Sequence, residues 1–409
     1  MLNWTGAEIP RVKELRSVSV TQEGVEQQAA TARELLDDYT AGDFFLATTR
    51  HTLLGAGETT EFTDTDAVRL SENTATALAG SAAGFAAGAL PFDTTATAGA
   101  PGRIVLPERV RSAGPAHPGV IGLPRRAVGI PIGAHSVPEP ARHVEAVSRA
   151  ITMLRHRELR KVVLARALDI EFADPVDPAT ILRNLVLDNP NGYTYAAGLP
   201  DGRNLVGATP ELLISRTGRS VLAHPHAGSA PRSDDPETDA ANAKALLASA
   251  KDHAEHAVLV EAVVQTLGPF CRELHVPAKP SLVATPAVWH LRTTISGELV
   301  DPDVTALRLA AALHPTPAIC GTPTGFAREL VGKLEPFDRG YYAGAVGWVD
   351  ARGDGEWAVA IRCAEVAGHG LRMYAGGGIV ADSEPHAELA ETSAKFQTLL
   401  HAMGLELDF

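Results

Sequence analysis

Three charged residues near the C-terminus have the spacing of a helical site. Glu388, Glu391 and Lys395 are separated by three and then four positions in the segment AELAETSAKF, and this spacing places all three on one face of a helix. Glu391 and Lys395 alone form the i,i+4 pair of a solvated helix, which is the simpler interpretation. Two carboxylates on one face repel each other, however, so they favour a bound cation if other acidic groups face them.

A second acidic pair lies earlier in the chain. Asp252 and Glu255 are three residues apart in the segment KDHAEH, which is expected to be helical. If the two helices face each other, four carboxylates converge, and they need a cation to be stable together. Ligands that are all oxygen favour Mg²⁺ over zinc. Two unrelated surface helices are the alternative interpretation.

Residues that could bind an anionic ligand lie close to the acidic helix. Gly376, Gly377 and Gly378 separate a predicted strand from that helix, and a run of glycines lets backbone amides approach a ligand closely. Arg362 falls in the apolar segment VAIRCA, where an unpaired guanidinium is costly. These residues indicate a ligand with more than one carboxylate, one held by Mg²⁺ and another by Arg362, Lys395 and glycine amides.

The elements that must position these residues follow from hydrophobic patterning. EPARHVEAVSRAITMLRHREL predicts an amphipathic helix that begins near Glu139, and KVVLARALDIEF predicts a strand. One long helix is expected from about Ala240 to Gly268, a strand and turn over 74–90, and one strand over EWAVAIRCAEVAG. Strands occur in runs rather than alternating with helices. This favours an α+β fold, a single large domain with an extensive, mostly antiparallel β-sheet assembly flanked by helices.

Composition limits the classes of partner. The 409 residues are 45% hydrophobic and 21% charged, as in soluble globular proteins, and the net charge of -13 argues against nucleic acid and anionic membranes as partners. The N-terminal residues MLNWTGAEIPRVKELR contain no apolar targeting segment. Cys271, Cys320 and Cys363 lack metal-ligand spacing and suit a reducing compartment. We therefore expect a cytoplasmic protein, a monomer in the simplest case and an oligomer in the alternative.

A series of motifs in a fixed order resembles one enzyme family. The motifs are KVVLAR, GATPELLISR, AGSAPR, KDHAEH, VWHLRTTISG, HPTPAICGTP, PFDRGYYAGAVGWVD, GEWAVAIRCAEV and YAGGGIVADSEPHAELAETSAKF. Together they resemble the chorismate-utilising enzymes, which include isochorismate, salicylate, anthranilate and aminodeoxychorismate synthases, and they look most like isochorismate synthases of the siderophore type. The resemblance implies a chorismate-binding catalytic region at 141–409, with 1–140 as a variable N-terminal part of the same fold.

The resemblance assigns binding roles to individual residues. It implies that Glu255 and Glu391 bind Mg²⁺, with Asp252 and Glu388 beside them. The substrate would be chorismate. The implied substrate contacts are Gly228, Ser229, His290, Ala318, Tyr342, Arg362, Gly376, Gly377, Gly378 and Lys395, with His314 as a further candidate.

The resemblance also implies a catalytic pair, Lys161 as base and Glu211 as acid. Isochorismate formation adds water at ring C2 and expels the C4 hydroxyl, so the water needs a base and the leaving hydroxyl needs an acid. Glu211 must then be protonated and Lys161 neutral near pH 7, and burial shifts both pKa values in these directions. Taken singly, a glutamate after a turn and a lysine opening a strand are ordinary structural residues.

Three positions bear on the choice among the family's activities. Lys161 disfavours the amine-forming members, and Ala227 replaces the lysine that aminodeoxychorismate synthases carry. Ala318, in HPTPAICG, lies where salicylate-forming relatives tend to have a larger polar residue. The expected reaction is therefore isochorismate formation with little pyruvate release. A salicylate synthase is the alternative enzyme, and a non-catalytic ligand-binding relative is the alternative from another class.

Overall fold

The computed structural model describes residues 30–81, 84–94, 99–116, 122, 124–156, 159–285, 288–405 and 407. Within these ranges the helices α1 to α9 are Ala32–Asp37, Ala67–Ala79, Pro140–Arg155, Pro178–Asp188, Pro236–Ala248, Ala250–Leu267, Ala306–Leu313, Thr324–Leu334 and Pro385–Met403. The strands β1 to β22 are Phe44–Ala47, Thr52–Ala56, Thr60–Asp64, Phe85–Leu90, Gly102–Leu106, Arg109–Ala113, Pro131–Val137, Lys161–Phe172, Tyr193–Gly198, Asn204–Thr209, Leu212–Thr217, Ser220–Ala223, His226–Pro231, Cys271–His275, Ser281–Ala284, Val288–Arg292, Ile295–Leu299, Gly321–Thr322, Gly344–Asp350, Gly355–Ala360, Cys363–Ala367 and Gly370–Ile379. None of the described helices is both long and apolar enough to span a membrane.

Two large sheets form the frame of the described chain. One has ten strands in the order β18, β8, β22, β21, β10, β9, β1, β2, β6, with β7 also paired to β8. The other has nine strands in the order β14, β17, β12, β11, β20, β19, β4, β5, β3, and a small sheet has the order β13, β16, β15. All of these strand pairs are antiparallel. The predicted α+β fold with an extensive antiparallel sheet assembly is confirmed.

The two large sheets bury their apolar faces against each other. Phe44 and Leu46 of β1 belong to the same buried cluster as Val346 of β19 and Trp357 of β20. A second cluster covers the other face of the ten-stranded sheet, where α1, α4 and α9 pack. The central strand β8 is therefore buried on both faces, which explains why its sequence is almost continuously apolar.

Strands that precede residue 140 take part in both large sheets. β1 and β2 lie between β9 and β6 in the ten-stranded sheet, and β3, β4 and β5 complete one edge of the nine-stranded sheet. The frame around the later part of the chain is thus built partly from this earlier segment. The predicted division of the chain at residue 140 stays a prediction.

Two expectations about helices are wrong. Residues 74–90 do not form a strand and turn, because α2 continues to Ala79 before β4 begins; the Asp66 carboxylate caps this helix by accepting from the backbone of Val68 and Arg69. The long helix expected after Ala240 is two helices, α5 and α6. Ser249 separates them because its backbone is extended (φ -73°, ψ 107°) and its hydroxyl caps α6.

Two expectations about strands are also wrong. EWAVAIRCAEVAG is not one strand, because the chain leaves β20 at Ala360 and enters β21 at Cys363. The glycine run 376–378 is not a loop after a strand. It belongs to β22, where Gly376 pairs with Ala165 and Gly378 with Val163 of β8. The long partner strand β8 therefore keeps these glycines in extended conformation.

Candidate active site

Residues from the ten-stranded sheet, the small sheet, two helices and several connections between elements enclose one cavity with about 140 Å³ of water-accessible space. Its lining is Lys161, Val163, Pro210, Glu211, His226, Ala227, Gly228, Ser229, Glu255, His290, Ala318, Ile319, Tyr342, Ala343, Ile361, Arg362, Tyr374, Ala375, Gly376, Gly378, Glu391 and Lys395. Apart from the further candidate His314, all of the site residues predicted from the sequence line it except Asp252, Gly377 and Glu388. The structure therefore brings these residues together, while their individual roles stay predictions.

The three remaining residues lie directly behind this lining. A Cβ on Gly377 would come within 2.9 Å of the Glu388 Oε2 atom. A Cβ on Gly228, whose φ is +74°, would come within 3.0 Å of the Asp252 Cβ atom. The positive φ of Gly228 favours glycine there, and a side chain at position 377 would displace the end of Glu388.

Lys161 is the first residue of β8 and points its ammonium group at α6. Its side chain is buried, and its Nζ donates to the Glu255 Oε1 atom over 2.6 Å. A Cβ on Gly378 would lie 2.8 Å from Lys161 Cε and 3.4 Å from Glu255 Oε1. The pair therefore sits against the backbone of β22, and any cation that binds Glu255 must compete with Lys161 for this carboxylate.

Glu211 is a buried carboxyl group in the connection between β10 and β11. Its backbone N–H donates to the Thr209 hydroxyl at 3.2 Å, and its carbonyl accepts from Val359 of β20 at 3.1 Å. Burial raises the pKa of Glu211 to about 8, although a backbone hydrogen bond from His226 and the charge of Lys161 act in the opposite direction. The group is therefore protonated at neutral pH and can act as an acid.

The acidic helix α9 carries its charged residues as the spacing predicts. Lys395 Nζ donates both to Glu391 Oε1 at 2.5 Å and to the carbonyl of Gly376 at 2.7 Å. Burial alone would raise the pKa of Glu391, but Lys395 brings it below its usual range. Burial raises the pKa of Glu388, whose Oε1 accepts from Ser383 at 2.7 Å. The three residues thus differ in environment although they share one helix face.

The donor set fits a divalent cation with oxygen ligands. Glu255 and Glu391 both line the cavity, and the Glu388 Oε2 atom is buried without a hydrogen-bond partner in the described chain. Within that chain no three acidic, histidine or cysteine side chains already form a metal-ligand cluster. Lys161 pairs with Glu255 and Lys395 with Glu391. The two lysines compensate the negative charge that a cation would otherwise neutralise.

Arg362 lies between two strands and not inside one, in contrast to the sequence expectation. Its φ of 52° is unusual for a residue with a side chain, and its carbonyl accepts from Ala208 of β10 at 3.0 Å. Burial lowers the pKa of Arg362, while Tyr342 and Glu391 act to raise it. The side chain is among the cavity-lining groups, so this uncommon backbone conformation places a cation in the site.

Aromatic and imidazole groups complete the cavity. The rings of Tyr342 and Tyr374 are stacked with centroids 4.8 Å apart. His226 and His290 meet edge to face, with centroids 6.0 Å apart. Burial lowers the pKa of both histidines, to about 3 for His290, where Arg362 also contributes. Both imidazoles are therefore neutral.

The sequence reasoning missed several lining residues, among them His226, Tyr374 and Val163. Tyr374 is two residues before Gly376, and Val163 two residues after Lys161, so the period of two in a strand was a usable signal. His226 gave no comparable signal, because its position depends on the pairing of β13 with β16. His314, the further candidate, does not line the cavity, since its Nε2 lies 3.0 Å from the carbonyl oxygen of Phe92.

Comparison with known proteins agrees with this geometry. The family model described as chorismate binding enzyme matches residues 128–404. Isochorismate synthase DhbC of Bacillus subtilis is 46% identical over 390 residues, which cover 92% of this chain and 97% of that protein. The vibriobactin-specific isochorismate synthase of Vibrio cholerae is 46% identical over 273 residues, 67% of this chain and 69% of that protein.

Among solved structures, the crystal structure of DhbC from Bacillus anthracis superimposes with a TM-score of 0.85 at 43% identity, and covers 92% of this chain and all of that one. The fold and the cavity define a class of α+β proteins in which a two-sheet frame holds a cavity lined by both acidic and basic side chains. The chain belongs to the chorismate binding enzyme family.

Proposed function

We propose that the protein is an isochorismate synthase, an isomerase that converts chorismate to isochorismate. The activity in the names of the Bacillus subtilis and Vibrio cholerae relatives supports this assignment. The observation that carries it is that one cavity contains both an acid and a base. The acid is Glu211, because burial raises its pKa to about 8, and the base is the amine of Lys161. Acid and base are the two groups that the exchange of a hydroxyl for water requires.

The reaction exchanges a hydroxyl group between two ring carbons. A water oxygen forms a bond to C2 while Lys161 takes a proton from that water. The ring double bonds shift, the C4–O bond breaks, and Glu211 gives its proton to the departing oxygen, which leaves as water. The Glu255 carboxylate, which Lys161 contacts over 2.6 Å, stabilises the ammonium group that the step produces.

The substrate's carboxylates are held by the cationic groups of the cavity. Arg362 and Lys395 lie among its lining residues and supply charge-assisted hydrogen bonds. Glu255 and Glu391 would hold Mg²⁺, with Asp252 and Glu388 beside them. When bound, Mg²⁺ supplies positive charge that neutralises a substrate carboxylate.

Product analysis tests the proposal. Incubation with chorismate and Mg²⁺ should yield isochorismate, identified by chromatography, and Lys161→Ala should lower kcat by 10²-fold or more, roughly the contribution of a positioned base. Absence of any product would favour a non-catalytic ligand-binding relative.

A salicylate synthase is the alternative that Ala318 disfavours. Salicylate formation needs a further step in which the enolpyruvyl group leaves as pyruvate, and the isochorismate must be retained for it. Ala318 lines the cavity but offers no polar group to hold it. A lactate dehydrogenase assay without isochorismatase distinguishes the two, since stoichiometric pyruvate would identify a salicylate synthase.

The proposal extends to the pathway, the cellular location and the oligomeric state of the protein. The vibriobactin-specific relative supports a role in siderophore biosynthesis. The three cysteines are buried and unbridged, which supports a reducing, cytoplasmic location. We expect a monomer, and size-exclusion chromatography with light scattering tests this.

A further inference from the structure

His226, the first residue of β13, is a cavity residue to which the proposed reaction gives no role. It lines the cavity together with Glu211 and is 6% exposed. Neither of its ring nitrogens has a hydrogen-bond partner in the described chain. Its neighbour His290 likewise has an unpartnered Nε2 atom. Two adjacent imidazoles of the cavity lining therefore have ring nitrogens without a well-formed hydrogen bond, although backbone groups of His224 and Gly228 act on their pKa values.

The chemistry of a buried imidazole limits what it can bind. Burial and the nearby positive charge of Arg292 keep His226 neutral, and a neutral imidazole presents one N–H donor and one acceptor. A buried polar group without a partner destabilises the empty site. A ligand hydroxyl can meet whichever ring nitrogen faces the cavity, because it both donates and accepts, whereas a carboxylate, which only accepts, can meet only the N–H.

The position of His226 next to Glu211 selects one hydroxyl of the proposed substrate. Glu211 and His226 line the same cavity, and the His226 backbone is near enough to the Glu211 carboxyl group to act on its pKa, so the two residues are neighbours in the site. In the proposed reaction Glu211 protonates the C4 hydroxyl. We propose that the His226 imidazole binds this C4 hydroxyl and orients it toward Glu211. The inference rests on the proposed function and adds a hydroxyl-binding residue to it.

Comparison of two ligands in the same variants tests this inference. The probes are chorismate, as substrate, and an analogue with hydrogen in place of the C4 hydroxyl, as competitive inhibitor. His226→Leu should raise KM for chorismate about fivefold or more, as expected for one lost hydrogen bond, and should leave Ki of the analogue unchanged. His226→Asn, which keeps one donor and one acceptor, should recover part of the loss.

The control is His143→Leu in α3. His143 is also a buried histidine with an unpartnered Nε2 atom, but it does not line the cavity. This substitution should change neither KM nor Ki. KM and Ki do not depend on the fraction of folded enzyme, so a destabilised variant still gives an answer. If His226→Leu shifts both constants equally, or neither, His226 does not bind the C4 hydroxyl. If the wild type forms no isochorismate, the proposed function itself fails, and product analysis of the wild type shows this separately.

Discussion

At the scale of single residues, the local environment gives glutamates of this cavity different pKa values, although their carboxyl groups are chemically the same. Glu211 is buried with little compensation, so its pKa rises to about 8. Glu391 is paired with Lys395, so its pKa falls despite burial. One carboxyl group is therefore protonated and the other ionised at the same pH. This is the difference that an acid and a metal ligand in one cavity require.

Glu211 predicts the alkaline limb of the pH profile. In the proposed reaction the protonated carboxyl is the active form, and its pKa of about 8 means that this form predominates below pH 8 and is lost above it. We expect kcat to fall as pH rises through about 8. Glu211→Gln should lower kcat by 10²-fold or more, roughly what a positioned acid contributes, with little change in Tm. Steady-state kinetics over a pH series measures both.

Glu329→Gln, an exposed substitution on α8, serves as the control for this series and should keep the wild-type profile. A Glu211→Gln enzyme with near wild-type kcat would show that another group protonates the leaving hydroxyl. A wild-type profile that stays flat above pH 8 would contradict the acid role equally.

At the scale of elements, the sequence predicts those helices and strands whose bounds depend on local residue patterns. The strand β8 is found with the predicted bounds, since its β-branched run and alternation suffice. The helix break at Ser249 was missed because the residues around it are good helix formers and only the cap hydrogen bond to Asp252 marks the boundary. Arg362 was placed in a strand because its neighbours are apolar, and its positive φ depends on the tertiary contact with Ala208.

A buried ion pair connects several elements of the site. Glu335, at the end of α8, accepts from Arg339 and from the backbone N–H of Ala165 in β8. Arg339 donates to the carbonyls of Ile319 and Val163, both of which line the cavity. Glu335→Gln leaves the Arg339 charge unpaired in the interior, which costs about 3–5 kcal/mol. Urea denaturation should show a loss of this size.

The same helix supplies a matched comparison. Glu329 and Lys333 have the same i,i+4 spacing as Glu335 and Arg339, but both are largely exposed. Glu329→Gln should leave the unfolding midpoint unchanged, because exposed pairs are screened by solvent. Equal effects of the two substitutions would show that the buried pair does not hold these elements together.

At the scale of the whole molecule, the site depends on pairings between distant parts of the chain. β8 and β22 lie side by side although Val163 and Gly378 are far apart in sequence, and β13 reaches the cavity through its pairing with β16. Motif order indicated which residues share a site, and the family resemblance supplied the fold. The strand order itself follows from long-range packing, which no local pattern encodes.

Because the two helices that carry the acidic pairs belong to different parts of the chain, Mg²⁺ should act on the whole fold. A cation held by Glu255 of α6 and Glu391 of α9 binds only the folded state, so it raises the free energy of unfolding. At a concentration 100 times its Kd the gain is about 2.7 kcal/mol. We expect Mg²⁺ to raise Tm, EDTA to reverse this, and turnover to require the metal.

Glu391→Gln tests the assignment of the metal ligand without removing the side chain. The variant should fold and bind chorismate weakly, but it should lose both the Mg²⁺-dependent rise in Tm and the Mg²⁺-dependent turnover, because an amide is a far weaker ligand for a hard cation than a carboxylate. Glu261→Gln, on the outer side of α6 where Glu261 contacts Gln265, is the control and should respond to Mg²⁺ as the wild type does. Full turnover in EDTA, or an unchanged Mg²⁺ response in Glu391→Gln, would remove Glu391 from the metal site.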